Sequence, residues 1–300
     1  MEKLPLNENG KVDRKALPVP AETFERGGYV PPQGPREQCL AAVWREVLGG
    51  PEVGLHDNYF ERGGDSITAI QVVSRLRRRG WRLRVADVFR HPTIAQLAPC
   101  LVEDGQGAEE AEDADRAADI PLTAVQRWFF EHYRGERHHF NQAVLLKSAE
   151  ALDEGRLRRA LGELLRRHDA LRLRFVGEGE AVRQSRVPAG EPADLAVIDL
   201  RASGDPAAEL EHHADQMQAG LDLERGPLLK AGLFRGADGE RLLLVIHHLA
   251  VDAVSWRILL EELETAYRGD ADGNSIELGP KTCSFRRWAE AMRKSAESPE

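Results

Sequence analysis

The sequence predicts a multidomain chain, an all-α four-helix unit followed by a layered α/β unit, on three observations. Residues 103–119 carry Glu103, Asp104, Glu109, Glu110, Glu112, Asp113, Asp115 and Asp119 against a single Arg116, interleaved with alanine and glycine. Such a composition cannot bury a core and reads as a mobile tether joining two folded units. Before it, apolar residues recur at helical spacing in four runs; after it, helical runs mix with strand-like ones, the mixture that builds layered α/β domains.

Taken in order, residues 1–20 read as a turn at Asn9-Gly10 between short extended pieces closed by prolines, too little to fold alone. Residues 21–34, with Gly27-Gly28 and Pro31-Pro32, read as a linker. From Pro35 the first helix places Leu40, Val43, Trp44, Val47 and Leu48 on one stripe and stops at Gly49-Gly50. Gly63 and Gly64 then permit a tight turn that larger residues resist, and Asp65-Ser66 opens a second helix with Ile67, Ile70, Val73 and Leu76. Arg75, Arg77, Arg78 and Arg79 stand at its C-terminal end, where positive charge complements the macrodipole. Taken alone, Ser66 is an ordinary N-cap. Short helices over 85–89 and, after His91-Pro92, over 93–101 complete the four.

In the second unit, Ile120-Pro121-Leu122-Thr123 opens a helix running to residue 133, followed by a strand over 140–146, a helix over 152–168 and a strand over 171–175. A helix over 205–221 precedes strands over 228–234 and 241–246. The last is a near-continuous apolar run, Leu242 to Ile246, which predicts a central strand covered on both faces. His247-His248 falls at its end, and Val254 begins a helix carrying Ile258, Leu259, Leu263 and Tyr267. Catalytic groups often sit where a rigid strand gives way to an accessible loop, and histidine is suited to taking up and returning a proton near neutral pH. A His-His pair by itself is more often structural.

Lys plus Arg number 41 against 50 Asp plus Glu, a net charge of −9, which argues against a nucleic-acid backbone as main partner. Cys39, Cys100 and Cys283 are far apart and lack metal-binding spacing, as suits a reducing cytosol, and no metal is assigned. No apolar run approaches membrane-spanning length and no signal-peptide core opens the chain, so a soluble cytoplasmic protein with no membrane partner is expected.

Longer strings carry a resemblance. Asp57-Asn58-Tyr59-Phe60-Glu61-x-Gly63-Gly64-Asp65-Ser66 resembles the 4′-phosphopantetheine attachment site of peptidyl carrier domains in nonribosomal peptide synthetases, with Gly64 and Asp65 beside the arm-bearing position, Ser66. A helix start offers unpaired N–H groups and the positive dipole end, which suit a phosphodiester. In that family Asp directly before Ser is typical of carriers followed by an epimerization domain. Leu4-Pro5-Leu6-x-x-Asn9-Gly10-Lys11-Val12-Asp13-Arg14 looks like the last motif of an amino-acid adenylation domain, with Lys11 expected to be a remnant without catalysis to perform. His247-His248-x-x-x-Asp252-x-x-Ser255-Trp256 resembles the central motif of the condensation-domain superfamily, which is chloramphenicol acetyltransferase-like in fold, and its Ser-Trp ending resembles the epimerization branch. Condensation members usually have Asp-Gly where this sequence has Asp252-Ala253. Pro121-Leu122-Thr123-x-x-Gln126-x-Trp128-Phe129 and Arg167-His168-Asp169-Ala170-Leu171-Arg172-Leu173-Arg174-Phe175 agree with the same superfamily.

The resemblance implies an adenylation tail over 1–20, a linker over 21–34, a carrier domain over 35–102, an acidic linker over 103–119 and the N-terminal lobe of an epimerization domain over 120–300, with the second lobe absent. It makes His248 the proton-transfer residue, His247 a shaper of the pocket, and Asp252 a structural residue paired with Arg172, Arg174 being the nearby alternative. Ser255 would cap its helix and Trp256 would pack the core. The reaction implied is L-to-D inversion at Cα of an aminoacyl or peptidyl thioester on 4′-phosphopantetheine. Since the opposing glutamate would lie in the second lobe, this chain is expected to accept an arm and to epimerize poorly or not at all. The implied partners are a phosphopantetheinyl transferase with CoA, an upstream adenylation domain, the missing lobe and a downstream condensation domain. Two alternatives stand beside this reading: a condensation domain in which His248 assists amine attack, and a non-catalytic carrier and docking module.

Overall fold

The computed structural model describes residues 29–103, 119–148, 150–190, 193–271, 276, 278 and 283–297. The sequence readings for residues 1–20, most of 21–34 and most of 103–119 therefore lie outside the described residues. The chain divides into two compact units, Met1–Gly105 and Gln106–Glu300.

The first unit contains α1 (Gly34–Leu48), α2 (Ser66–Arg78), α3 (Val85–Arg90) and α4 (Ile94–Leu97), which tightens into a 3-10 turn over Ala98–Cys100. The tightening follows from Pro99, which has no N–H to continue an α-helical ladder. Leu40, Val43 and Trp44, spaced three and four apart on α1, enter one core with Tyr59, Val72, Leu76, Val88, Ile94 and Leu97. Trp44 meets Tyr59 edge-on at 4.9 Å between ring centroids. Two very short strands that the sequence did not announce, β1 (Trp81–Arg82) and β2 (Val102–Glu103), pair antiparallel.

The second unit begins with α5 (Ala124–His132), whose start is set by Thr123 and Gln126 in a reciprocal capping box. Its main sheet has the order β3-β8-β7-β6, with β3 at Asn141–Ser148, β6 at Leu195–Asp199, β7 at Leu229–Gly236 and β8 at Gly239–His247. β8 pairs antiparallel with both neighbours, while β6 and β7 run parallel and are joined through α7 (Pro206–Ala219). Alternate residues of β8 serve opposite faces. Leu242, Leu244 and Ile246 join a core with α6 (Glu154–Arg167) and α8 (Ala253–Ala271), whereas Leu243 and Val245 join Phe234, Leu221 and the α7 side. The expected doubly covered central strand is thus present. A second ribbon, β4 (Leu173–Val176) with β5 (Arg183–Arg186), shares a third core with Phe129 and Phe130 of α5 and Ala289 of α9 (Phe285–Glu297). The strand predicted from residue 171 starts later because Asp169–Arg172 forms a 3-10 turn.

Candidate functional site

The loop before α2 is shaped by close backbone approach. Gly64 N–H donates to the Tyr59 carbonyl at 2.9 Å. A Cβ on Gly64 would fall 2.3 Å from the Tyr59 ring and 2.6 Å from that carbonyl oxygen, and Gly63 adopts a φ of +88°. Only glycines satisfy both positions. Asp65 is extended; its carboxylate accepts from Thr68 N–H at 2.7 Å while the Thr68 hydroxyl accepts from Asp65 N–H at 2.7 Å. The capping role read from sequence as an ordinary duty of Ser66 therefore belongs to Asp65. Ser66 is the first helical residue and exposed. An exposed hydroxyl at the positive end of a thirteen-residue helix, relieved of capping, fits covalent attachment of a phosphodiester.

At the end of β8 the two histidines diverge. His247 is fully buried; its Nε2 lies 2.7 Å from the Arg137 carbonyl, and its Nδ1 accepts from Leu249 N–H at 3.1 Å. Since a carbonyl only accepts, Nε2 carries the hydrogen. Burial is the main cause that pushes the His247 pKa down to about 4, with the carbonyl contact opposing it. Its ring is an internal strut of the loop, held between the Arg137 carbonyl and the Leu249 N–H. His248 is exposed, with its backbone N–H donated to the Phe140 carbonyl at 2.8 Å and its ring stacked on Phe140 at 5.2 Å. Its Nδ1 lies 2.9 Å from the Val251 carbonyl and its Nε2 lies 3.1 Å from Gln142 Nε2. Gln142 Oε1 in turn accepts the Trp256 indole N–H at 2.8 Å.

The expected pairing of Asp252 with Arg172 is corrected by the geometry. Asp252 is exposed, and its carboxylate accepts from both the N–H and the hydroxyl of Ser255, each at 2.7 Å. Arg172 is buried; its Nε donates to the Leu165 carbonyl at 2.8 Å and another guanidinium nitrogen to the Val187 carbonyl at 2.6 Å. Arg174 donates to Ser185 Oγ at 2.9 Å. Asp252, placed just before α8, is the cap, and Ser255, expected as the cap, is its donor. Partial burial pushes the Asp252 carboxyl up, but the hydrogen bonds from Ser255, with the Val254 N–H and the nearby His248, together leave the group below its ordinary value. Trp256 packs in the core as expected and also serves Gln142. Gln142 was missed in sequence; the signal was a polar Asn141-Gln142 pair just before the apolar run Ala143 to Leu146 of the same strand.

Among the described residues, no group of three or more His, Cys, Asp or Glu is placed to hold a metal ion, and no helix is long and apolar enough to cross a membrane.

The profile of the condensation-domain family matches residues 116–300, and that of the phosphopantetheine attachment site matches residues 38–101. Surfactin synthase subunit 1 of Bacillus subtilis (strain 168) is 42% identical over 99% of the chain, which spans 8% of that protein. Tyrocidine synthase 2 of Brevibacillus parabrevis is 42% identical over 100% of the chain, again 8% of the relative. Among solved structures, the epimerization domain from the third module of tyrocidine synthetase B superimposes with a TM-score of 0.58 at 40% identity, covering 60% of this chain and 41% of that one. The first condensation domain of the CDA synthetase has a likeness of fold, with a TM-score of 0.53 at 23% identity over 61% of this chain and 47% of its own. Two compact units, a helix-start serine and a strand-end histidine thus meet two matching profiles, and the chain belongs to the condensation-domain family, as a nonribosomal peptide synthetase segment in which a 4′-phosphopantetheine carrier domain precedes the condensation-type domain.

Proposed function

We propose that Ser66 bears the phosphopantetheine arm and that the α/β unit is of the epimerization type, inverting the Cα centre of an aminoacyl or peptidyl thioester, with His248 as one of its proton-transfer groups. The arm supplies the terminal thiol on which the acyl group is held as a thioester. A thioester carbonyl makes the neighbouring Cα–H acidic, because the electron pair left behind is delocalised onto oxygen as an enolate. His248 removes that proton at Nε2 and returns it. Gly64 and Asp65 present the Ser66 hydroxyl, and His247 holds the loop that carries His248. The observation that carries the reading is an exposed His248 whose Nδ1 is tied to a carbonyl, leaving Nε2 as the proton-accepting nitrogen. The Ser255-Trp256 ending and the 40% identity to a solved epimerization domain favour this branch over condensation, the alternative within the same family.

The further partners of this reading are a phosphopantetheinyl transferase with CoA, met in the cytoplasm, an adenylation domain that activates the amino acid, a second lobe that supplies the opposing glutamate, and a condensation domain that takes the product. Inversion needs two proton-transfer groups and exchange of the α-proton needs one, so exchange is the direct readout of His248. The chain is loaded at Ser66 with an aminoacyl-pantetheine arm, loading is confirmed by intact mass, and deuterium uptake at Cα is followed in heavy water. Uptake that disappears in His248→Ala is expected. A confirmed loaded chain with no uptake, or with uptake indifferent to His248, would count against the reading.

A further inference from the structure

We infer that Gln142 and Trp256 form a positioning relay that holds His248 as the Nδ1–H tautomer, with Nε2 kept as the unprotonated, accepting nitrogen. The inference rests on His248 being the proton-transfer residue, and it assigns a role to two residues that act through the His248 ring. The indole N–H of Trp256 can only donate, so the oxygen of Gln142 must face it at 2.8 Å. That orientation turns the Gln142 NH2 toward His248 Nε2 at 3.1 Å, where an imidazole nitrogen must accept. On the other side, the Val251 carbonyl can only accept, so Nδ1 carries the hydrogen. Reasoning from either end therefore reaches the same tautomer, and neither end can be reversed alone. The neighbouring His247 is held as the opposite tautomer by the Arg137 carbonyl and the Leu249 N–H, so the chain distinguishes two adjacent imidazoles chemically.

The three residues come from three elements: Gln142 is the second residue of β3, His248 follows β8, and Trp256 lies in the first turn of α8. Trp256 is only 8% exposed and packed in the core, which fixes the far end of the relay in a rigid part of the molecule. The relay also bears on proton transfer. When Nε2 takes a proton it becomes a donor facing the donor group of Gln142. Turning the Gln142 amide to offer its oxygen would set NH2 against the Trp256 N–H. A proton on Nε2 is opposed for as long as the Gln142 NH2 faces it, which favours its return, as a reversible exchange at Cα requires.

The test reads tautomers directly. Long-range proton–nitrogen spectra of the 300-residue chain labelled with 15N-histidine, recorded where the ring is neutral, are expected to show His248 protonated at Nδ1. The Trp256 indole signal is expected to move in step with His248 protonation in the native chain and to stop following it in Gln142→Met, which keeps the length of the side chain without its polar groups. In Gln142→Glu an acceptor faces Nε2, and His248 is expected to carry hydrogen there. An Nε2–H tautomer in the native chain, or a Trp256 signal indifferent to His248, overturns the relay. These spectra need no loaded arm, so a failure of α-proton exchange would count against the reaction assigned above and leave the relay standing.

Discussion

His247 and His248 share a peptide bond and little else: one ring is enclosed and held neutral, the other stands in solvent at the end of a hydrogen-bonded chain. For His247 the pH dependence has a definite sign. Its pKa falls from the ordinary 6.5 unfolded to about 4 folded, so between these values the unfolded chain binds more protons. The stability due to its burial as a neutral ring is complete above pH 6.5 and is lost as the pH falls through 4, on the order of 3 kcal/mol in total. Urea unfolding of the second unit at pH 7 and pH 4.5 is expected to show that loss, and His247→Gln is expected to flatten that part of the pH dependence. At the other site, Gly64→Ala drives a methyl into Tyr59 and is expected to cost about 1–3 kcal/mol. A lowered melting transition of the first unit and slower loading of Ser66 would register it; an unchanged transition would mean the loop yields. Asp65→Ala removes the α2 cap, at a cost of about 1 kcal/mol in the same assay. The sequence pointed to Ser66, His247, His248 and Asp252, because their strings are long. It could not pair Asp252 correctly, since an exposed aspartate finds the nearest N–H groups of its own helix before a distant guanidinium buried among carbonyls.

β8 shows what an element's pattern can and cannot tell. Five consecutive apolar residues from Leu242 announced a strand covered on both faces, and the two sides enter different cores. Leu243→Ala and Leu244→Ala, one on each face, are therefore both expected to destabilise the second unit by about 2–5 kcal/mol in chemical denaturation. A silent Leu243 substitution would mean the α7 face is loosely covered. β5 escaped notice for the converse reason: it reads Arg-Gln-Ser-Arg, and its buried positions are Gln184 and Arg186. Polar side chains that are buried through hydrogen bonds and ion pairs leave no trace in apolar periodicity. Strand order is likewise silent in the sequence, because β3 reaches β8 across nearly a hundred residues by hydrogen bonds that any backbone can make.

At the scale of the molecule, the first unit has its own core around Leu40, Trp44 and Tyr59, and the second has the cores around β8 and α5. Leu40→Ala is expected to lower one calorimetric transition by an amount equivalent to about 2–5 kcal/mol, and Leu164→Ala the other, each leaving its counterpart in place. A single transition that shifts with either substitution would show that the units unfold together. Composition led to the expectation of a division at the acidic stretch 103–119, most of which falls outside the described residues, while the two units meet between Gly105 and Gln106 in the sequence. Asp65 closes the helix, and Ser66 lies exposed beside it with no part in the closure. Esterifying the Ser66 hydroxyl breaks no capping bond of α2, and the added negative charge meets the positive end of that helix, so the modified chain should unfold at an equal or slightly higher denaturant concentration than the unmodified one. A protein that tells the two apart then has the appended group itself to recognise, because adding it leaves the Asp65–Thr68 bonds beside it in place.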